Sequence, residues 1–313
     1  MYWQKEVLRS GRAMTFNLTD VLDLPKTGLL NSLILYLSST ENAQPFLTAV
    51  KWRLIDYISK IELIGNGSTV IKSYDGRQAL ASAFYDDKII APSMWTTGSN
   101  VPHRQWIPIH FGRKMMDDLH ALDLARWDQV QLKITNDATA TQFTTNVAVD
   151  IIAIWLREPD VPIQGYYREE EYKLWAPVAN TWEYIDLPTE NLIRRILLRN
   201  RPAVDTADAK NNSSMLNLMD DIRFAIKSRQ LDLFRGTLRQ LSHLALLEHG
   251  RYAEVMTNID RTDEYGYEVG VGYVLHGLKS EASSTATPSA TSTIGASHVQ
   301  DSARGADQRE ARQ

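Results

Sequence analysis

Apolar residues in this chain gather in short runs rich in β-branched and aromatic side chains, each closed by turn-forming residues. That pattern predicts a mostly β protein. Ser59–Ile64 and Ser68–Tyr74 flank Gly65-Asn66-Gly67. Asn-Gly is the strongest short hairpin signal, because both turn positions need positive φ. Gln131–Thr135 and Asn146–Leu156 predict two more strands, bounded by the turn-prone Asn136-Asp137-Ala138-Thr139. Met215–Lys227 and Leu231–Phe234 predict a further hairpin, and Tyr267–Leu275 a last strand. Helical spacing is limited to Gly76–Phe84, Met115–Leu122 and Thr237–Glu248, the last stopping before Gly250.

The elements recur in order. DLPKTGLLNSLIL, starting at Asp23, returns as DLPTENLIRRILL, starting at Asp186, an offset of 163 residues. An aromatic strand is predicted before each, Met14–Leu18 and Thr181–Ile185. Pro25 and Pro188 have no N–H to donate, so each should end a ladder. Asp23 and Asp186 can accept nearby backbone N–H groups and hold the turn. The apolar run that follows reads as a buried strand. Leu29, Leu30, Leu33 and Ile34 also suit a helix, which stays as the alternative. Each half then carries a hairpin, an aromatic residue, one further residue and a glycine (Gly76, Gly236), and a short helix. A closing apolar strand ends each half, and the first half holds extra loop, much of it in Tyr85–Trp106. The expected architecture is all-β with short helices in loops: two consecutive eight-stranded antiparallel jelly-roll sandwiches.

Composition adds boundaries. Residues 1–12 read as an arm, 13–158 and 159–279 as the two sandwiches, and 280–313 as a Ser/Thr/Ala-rich tail too polar to order itself. The 313 residues are long enough for two cores. No apolar run approaches the ~18 residues of a membrane span, and MYWQKEVLRSGR has no signal-peptide core. Cysteine is absent, which removes disulfides and thiolate chemistry and fits a reducing cytosol. A net charge of −4 argues against nucleic-acid wrapping as the main task.

Chemistry is sparse. The seven histidines, His103, His110, His120, His243, His249, His276 and His298, include no His-x-His, His-x-Asp or His-x-Glu. A cupin-type metal site would need such a pair, so surface or hydrogen-bonded core positions are expected instead. Asp86-Asp87, Asp117-Asp118, Glu169-Glu170-Glu171 and Asp220-Asp221 read as helix caps or solvated faces. No spaced acidic loop supports calcium, and no other cofactor is implied. Nucleotide-loop and nucleophile-elbow motifs are missing too. Seven of the eight tryptophans, from Trp52 to Trp182, could line a sugar cleft, although packing is the commoner use. Trp95, Trp106 and Trp175 fall in predicted loops and are the candidates for subunit contacts.

IELIGNGSTVIKSYDGRQAL (Ile61–Leu80), LARWDQVQLKITNDATA (Leu124–Ala140) and VDIIAIWLREP (Val149–Pro159) resemble double jelly-roll major capsid proteins. The similarity is to those of corticovirus-like icosahedral bacteriophages with an internal membrane, over most of residues 13–279. The resemblance implies a non-enzymatic virion subunit, assembled in a bacterial cytoplasm into pseudo-hexagonal homotrimers. Its implied partners are itself, minor capsid or vertex proteins and the internal viral membrane, without direct nucleic-acid contact. In that setting Trp3, Lys5 and Arg9 of the arm would face the membrane. The alternatives are a carbohydrate-binding two-sandwich module or a glycan-directed hydrolase.

Overall fold

The computed structural model describes residues 1–42, 53–94, 102–176, 178, 181–189, 192–198, 221–226, 231–250, 253–260 and 268–275. Trp52, Trp95 and the tail 280–313 lie outside the described residues.

The first half is a sandwich of two sheets. Eight strands in chain order build it: β1 (Tyr2–Met14), β2 (Thr19–Asp23), β3 (Leu29–Thr40), β4 (Ile58–Gly65), β5 (Thr69–Tyr74), β7 (Pro102–His110), β9 (Val130–Asn136) and β10 (Val147–Arg157). One sheet runs β1-β10-β3-β7 and the other β5-β4-β9-β2, all antiparallel. First therefore pairs with eighth, second with seventh, third with sixth and fourth with fifth. A long hairpin rolled around a barrel gives this pairing, the jelly roll. Short strands add to the sheets: β6 (Ser93–Met94) beside β7, β8 (Leu122–Asp123) on the start of β3 that β7 leaves uncovered, and β11 (Glu169–Glu170) parallel to β5.

Alternation places the core. Along β9 every second residue is buried, so Val130, Leu132 and Ile134 face inward. In the facing sheet, Leu33 stands opposite Ala153, Leu35 opposite Ile151 and Leu37 opposite Val149, all fully buried. A register shift lies on β3, where Ile154 faces Ser32 but Trp155 faces Leu30 and Asn31 is the extra residue. Trp155 keeps the inward face of Val147, Val149, Ile151 and Ala153, and its Nε1 donates to Glu6 at 2.8 Å.

The hairpin turn is as expected. Asn66 (φ 50°) and Gly67 (φ 75°) link β4 to β5, and Asn66 Oδ1 accepts the amides of Asp128 and Gln129. In the first Asp-Leu-Pro, the Leu24 amide makes the last bond to Val130 at 2.9 Å and Pro25 ends the ladder. Asp23 accepts side-chain amides, from Gln129 and Gln131, each at 2.8 Å, where backbone N–H groups were expected. Leu29–Leu35 is strand, which removes the helical alternative.

Three expectations are corrected in this half. Residues 2–12 are no arm but most of the jelly roll's first strand. Trp3 pairs with Leu156, Lys5 with Ile154 and Arg9 with Ile151, and Arg9 also ion-pairs Asp20. Met115–Leu122 is not helical, because the Asp117 carboxylate takes the Arg113 and Leu119 amides and Met116 turns to φ 59°. Tyr85–Trp106, whose residues 95–101 lie outside the described ones, is not all loop either. It holds the end of α1 (Gly76–Asp87), β6 and half of β7, so Trp106 is a strand residue.

In the second half, β12 (Ile222–Ile226) and β13 (Leu231–Gly236) form the expected hairpin. Helix α2 (Leu238–His249) follows, then the antiparallel pair β14 (Ala253–Asp260) and β15 (Glu268–Leu275). Hairpin then helix repeats β4-β5-α1, down to the cap. Asp75 and Gln78 exchange capping-box bonds before α1, as Thr237 and Gln240 do before α2. Gly76 lies after its cap and Gly236 before it, and at each a Cβ would be crowded, by Ile55 and Gln240 respectively. Thr181–Ile185 and Leu192–Leu198 are not strands, and Asp186 and Pro188 sit in chain without regular secondary structure, with the Asp186 carbonyl accepting the Tyr172 hydroxyl at 2.6 Å.

Candidate functional site

The densest polar chemistry among the described residues gathers around α1, and it comes from strings the sequence reading set aside. Lys72 on β5 is fully buried. Parallel pairing of β11 with β5 sets Glu169 opposite it, with Lys72 Nζ 3.2 Å from Glu169 Oε2 and 5.7 Å from the centroid of the Phe111 ring. Ser82, on the face of α1 above, donates to Glu169 Oε1 at 2.8 Å.

One turn along α1, Asp86 is 3% exposed at its side chain and takes two guanidinium groups from the second half. Arg194 stands 3.0 Å away and Arg195 is in direct contact. Arg195 also donates to the Ser82 carbonyl at 3.0 Å, and Arg194 lies 4.8 Å from the centroid of the Tyr167 ring. Asp87 reaches His110 Nε2 at 2.9 Å and accepts the Met115 amide at 3.0 Å. His110 Nδ1 meets Ser32, Ser32 donates to Asn31, and Asn31 Nδ2 donates to the carbonyls of Asp117 and His120. Asp117 pairs with His120 at 3.0 Å. The linked groups tie α1, β3, β5, β7, β11 and the 113–120 loop to Arg194 and Arg195, more than a hundred residues after α1.

Burial and charge set the protonation states. Burial pushes Lys72 down, opposed by Glu169. Burial pushes Glu169 up, but Lys72, Ser82 and Arg195 outweigh it and the carboxyl falls below its ordinary value. Asp86 is raised by burial, only partly offset by Arg195 and Arg194. Asp87 and Asp117 are also pushed up by burial yet end lowered, the first by His110 and the second chiefly by the backbone amides of Arg113 and Leu119. Each carboxylate meets a cationic partner, with Glu169, Arg194 and Arg195 still partly exposed, so the arrangement acts as an ionic clasp between these elements. A second buried pair, Glu41 and His103, each 1% exposed at its side chain and 3.0 Å apart, joins β7 to the end of β3. Among the described residues no group of three or more His, Asp or Glu side chains is placed to hold a metal.

The subunit-contact candidates separate. Trp106 is half-buried on the outer face of the larger sheet, its ring 4.5 Å from that of Tyr36 on β3, beside the half-buried Ile34, Pro108 and Ile152. Trp175 is half-buried in chain without regular secondary structure. The acidic pairs expected to be solvated are split, Asp117 buried beside exposed Asp118 and Glu169 inward of exposed Glu170. The signal was present in two places: a lysine inside the apolar strand Thr69–Tyr74, and two arginines inside the run LIRRILL.

No protein-family model and no curated protein matches the chain. Among solved structures it is similar to the STIV MCP, with TM-score 0.41, 14% identity, and coverage of 50% of this chain and 49% of that one. Similarity to the PBCV-1 virus capsid has TM-score 0.35, 13% identity and coverage of 50% and 42%. For the major capsid protein P2 from bacteriophage PM2 the values are 0.33, 12%, 50% and 52%. The match therefore spans about half the length of those chains.

Proposed function

We propose that this chain is a structural subunit of a viral capsid rather than an enzyme. It would place two jelly rolls side by side and associate into pseudo-hexagonal homotrimers, in an icosahedral shell over an internal membrane. The observation that carries the reading is the complete first-to-eighth strand pairing of the first half, together with the hairpin, capping box and helix repeated in the second. Three chains with two such walls each suit hexagonal packing. The paired charges support it as well, since they clasp one half to the other. Apolar side chains exposed in the single chain, Leu192 to Leu198 and Leu231, Leu233, Leu244 and Leu247 among them, supply surface for lateral contacts. Trp106 and Trp175 would sit at such contacts, with minor vertex proteins as further partners. Light scattering on the purified full chain tests the reading. A mass three times the 35.5 kDa chain, or a closed shell, is expected, and a monomer at every concentration and salt would overturn it.

A further inference from the structure

Away from the clasp, a cavity of about 390 Å³ opens where the 3₁₀ turn Leu124–Arg126 faces the 163–166 loop. Asp123, Arg126, Trp127, Ile163, Gly165 and Tyr166 line it. Both walls are fixed to the sandwich. Ala121 N donates to the Gly165 carbonyl at 2.9 Å, Gln164 N to Leu119 at 2.9 Å and Leu124 N to Gly28 at 3.0 Å. Trp127 and Tyr166 meet edge to face, ring centroids 6.4 Å apart, both half-buried. At the mouth, Asp123 receives Arg126 Nε at 3.2 Å, while the arginine side chain is 74% exposed.

We propose that this cavity binds a neutral sugar ring. Its volume equals about a dozen waters, the room of one or two pyranoses, and falls at the lower end of the range for ligand sites. The indole and phenol side chains give the lining apolar aromatic surface suited to the C–H side of a sugar. Asp123 supplies acceptors and Arg126 a planar set of donors, which together can hold neighbouring hydroxyls. Their charges cancel, so the lining favours a neutral polyol over an anion. The proposal stands apart from the capsid reading and is tested without reference to assembly.

The experiment is saturation-transfer NMR on the full chain with methyl glucoside, galactoside and mannoside, their disaccharides, and methyl glucuronide as the charged match. Transfer from at least one neutral sugar is expected, with Kd of about 1 mM. Arg126→Ala should weaken it about ten-fold while the thermal midpoint stays unchanged. Trp127 also packs over Gly65, so Trp127→Phe is the second variant, expected to weaken binding with the fold intact. No transfer from any neutral sugar, undiminished binding in both variants, or tighter binding of the glucuronide would each overturn the proposal.

Discussion

Replacing Lys72 by methionine would remove the cation of the clasp while keeping the length and apolar stem of the side chain. Glu169 would then lose its nearest countercharge, 3.2 Å away, but keep Ser82 and stay within the influence of Arg195. Breaking a buried pair by deleting one partner typically costs about 3–5 kcal/mol. Because the Glu169 side chain is 27% exposed, the low end applies, about 3 kcal/mol. With a urea dependence near 3 kcal/mol/M, the unfolding midpoint should fall by about 1 M. Adding Glu169→Gln removes the uncompensated charge, and the double variant should recover at least about 1.5 kcal/mol relative to the sum of the singles. The pH dependence has a fixed sign. Glu169 is lowered in the folded chain, so its contribution is present above the ordinary glutamate range and lost as pH falls through the lowered value. Without Lys72 the lowered value rises toward the ordinary one, so the loss becomes smaller and is complete at higher pH. A Lys72→Met cost under about 1 kcal/mol, or strict additivity in the double variant, would refute the clasp.

Burial pushes Asp56 up, but Arg77 and then Arg53 bring it down from 3.8 to about 2, a contribution of about 2 kcal/mol. That stability should be present above pH 4 and disappear as pH falls toward 2, and Asp56→Asn should flatten the urea midpoints over that range. Gly65→Ala would set a Cβ 2.3 Å from the Trp127 ring and should cost about 2–3 kcal/mol, read as a thermal shift. Gly67→Ala meets no crowding but must hold φ 75°, for a cost of about 1 kcal/mol. Deleting residues 2–12 strips the first strand from β10 and should leave an insoluble or unfolded chain; a stable, soluble deletion would restore the arm reading.

What was legible in the sequence was local. The Asn66-Gly67 turn, the ladder stop at Pro25 and both capped helices follow from backbone constraints carried by the residues themselves. What escaped was set by partners distant in the chain. Tyr2–Met14 has no strong strand signal and is a strand because β10, about 140 residues away, offers it an edge. Met115–Leu122 has helical spacing, but Asp117 and Asn31 take its amides. Asp86, Glu169, Arg194 and Arg195 carry no motif, since their function comes from meeting on one face of α1. Asp186-Leu187-Pro188 repeats the letters of the first copy without its ladder, because no strand lies beside it among the described residues.

The central claim is that one sandwich has been written twice in this chain as building material. Electron cryomicroscopy of the assembled full-length protein tests it most directly. The account predicts three chains per capsomer and two upright jelly rolls per chain, with the β4-β5-α1 and β12-β13-α2 units in equivalent positions. A density with one sandwich per chain, or unlike topology in the second half, would contradict it.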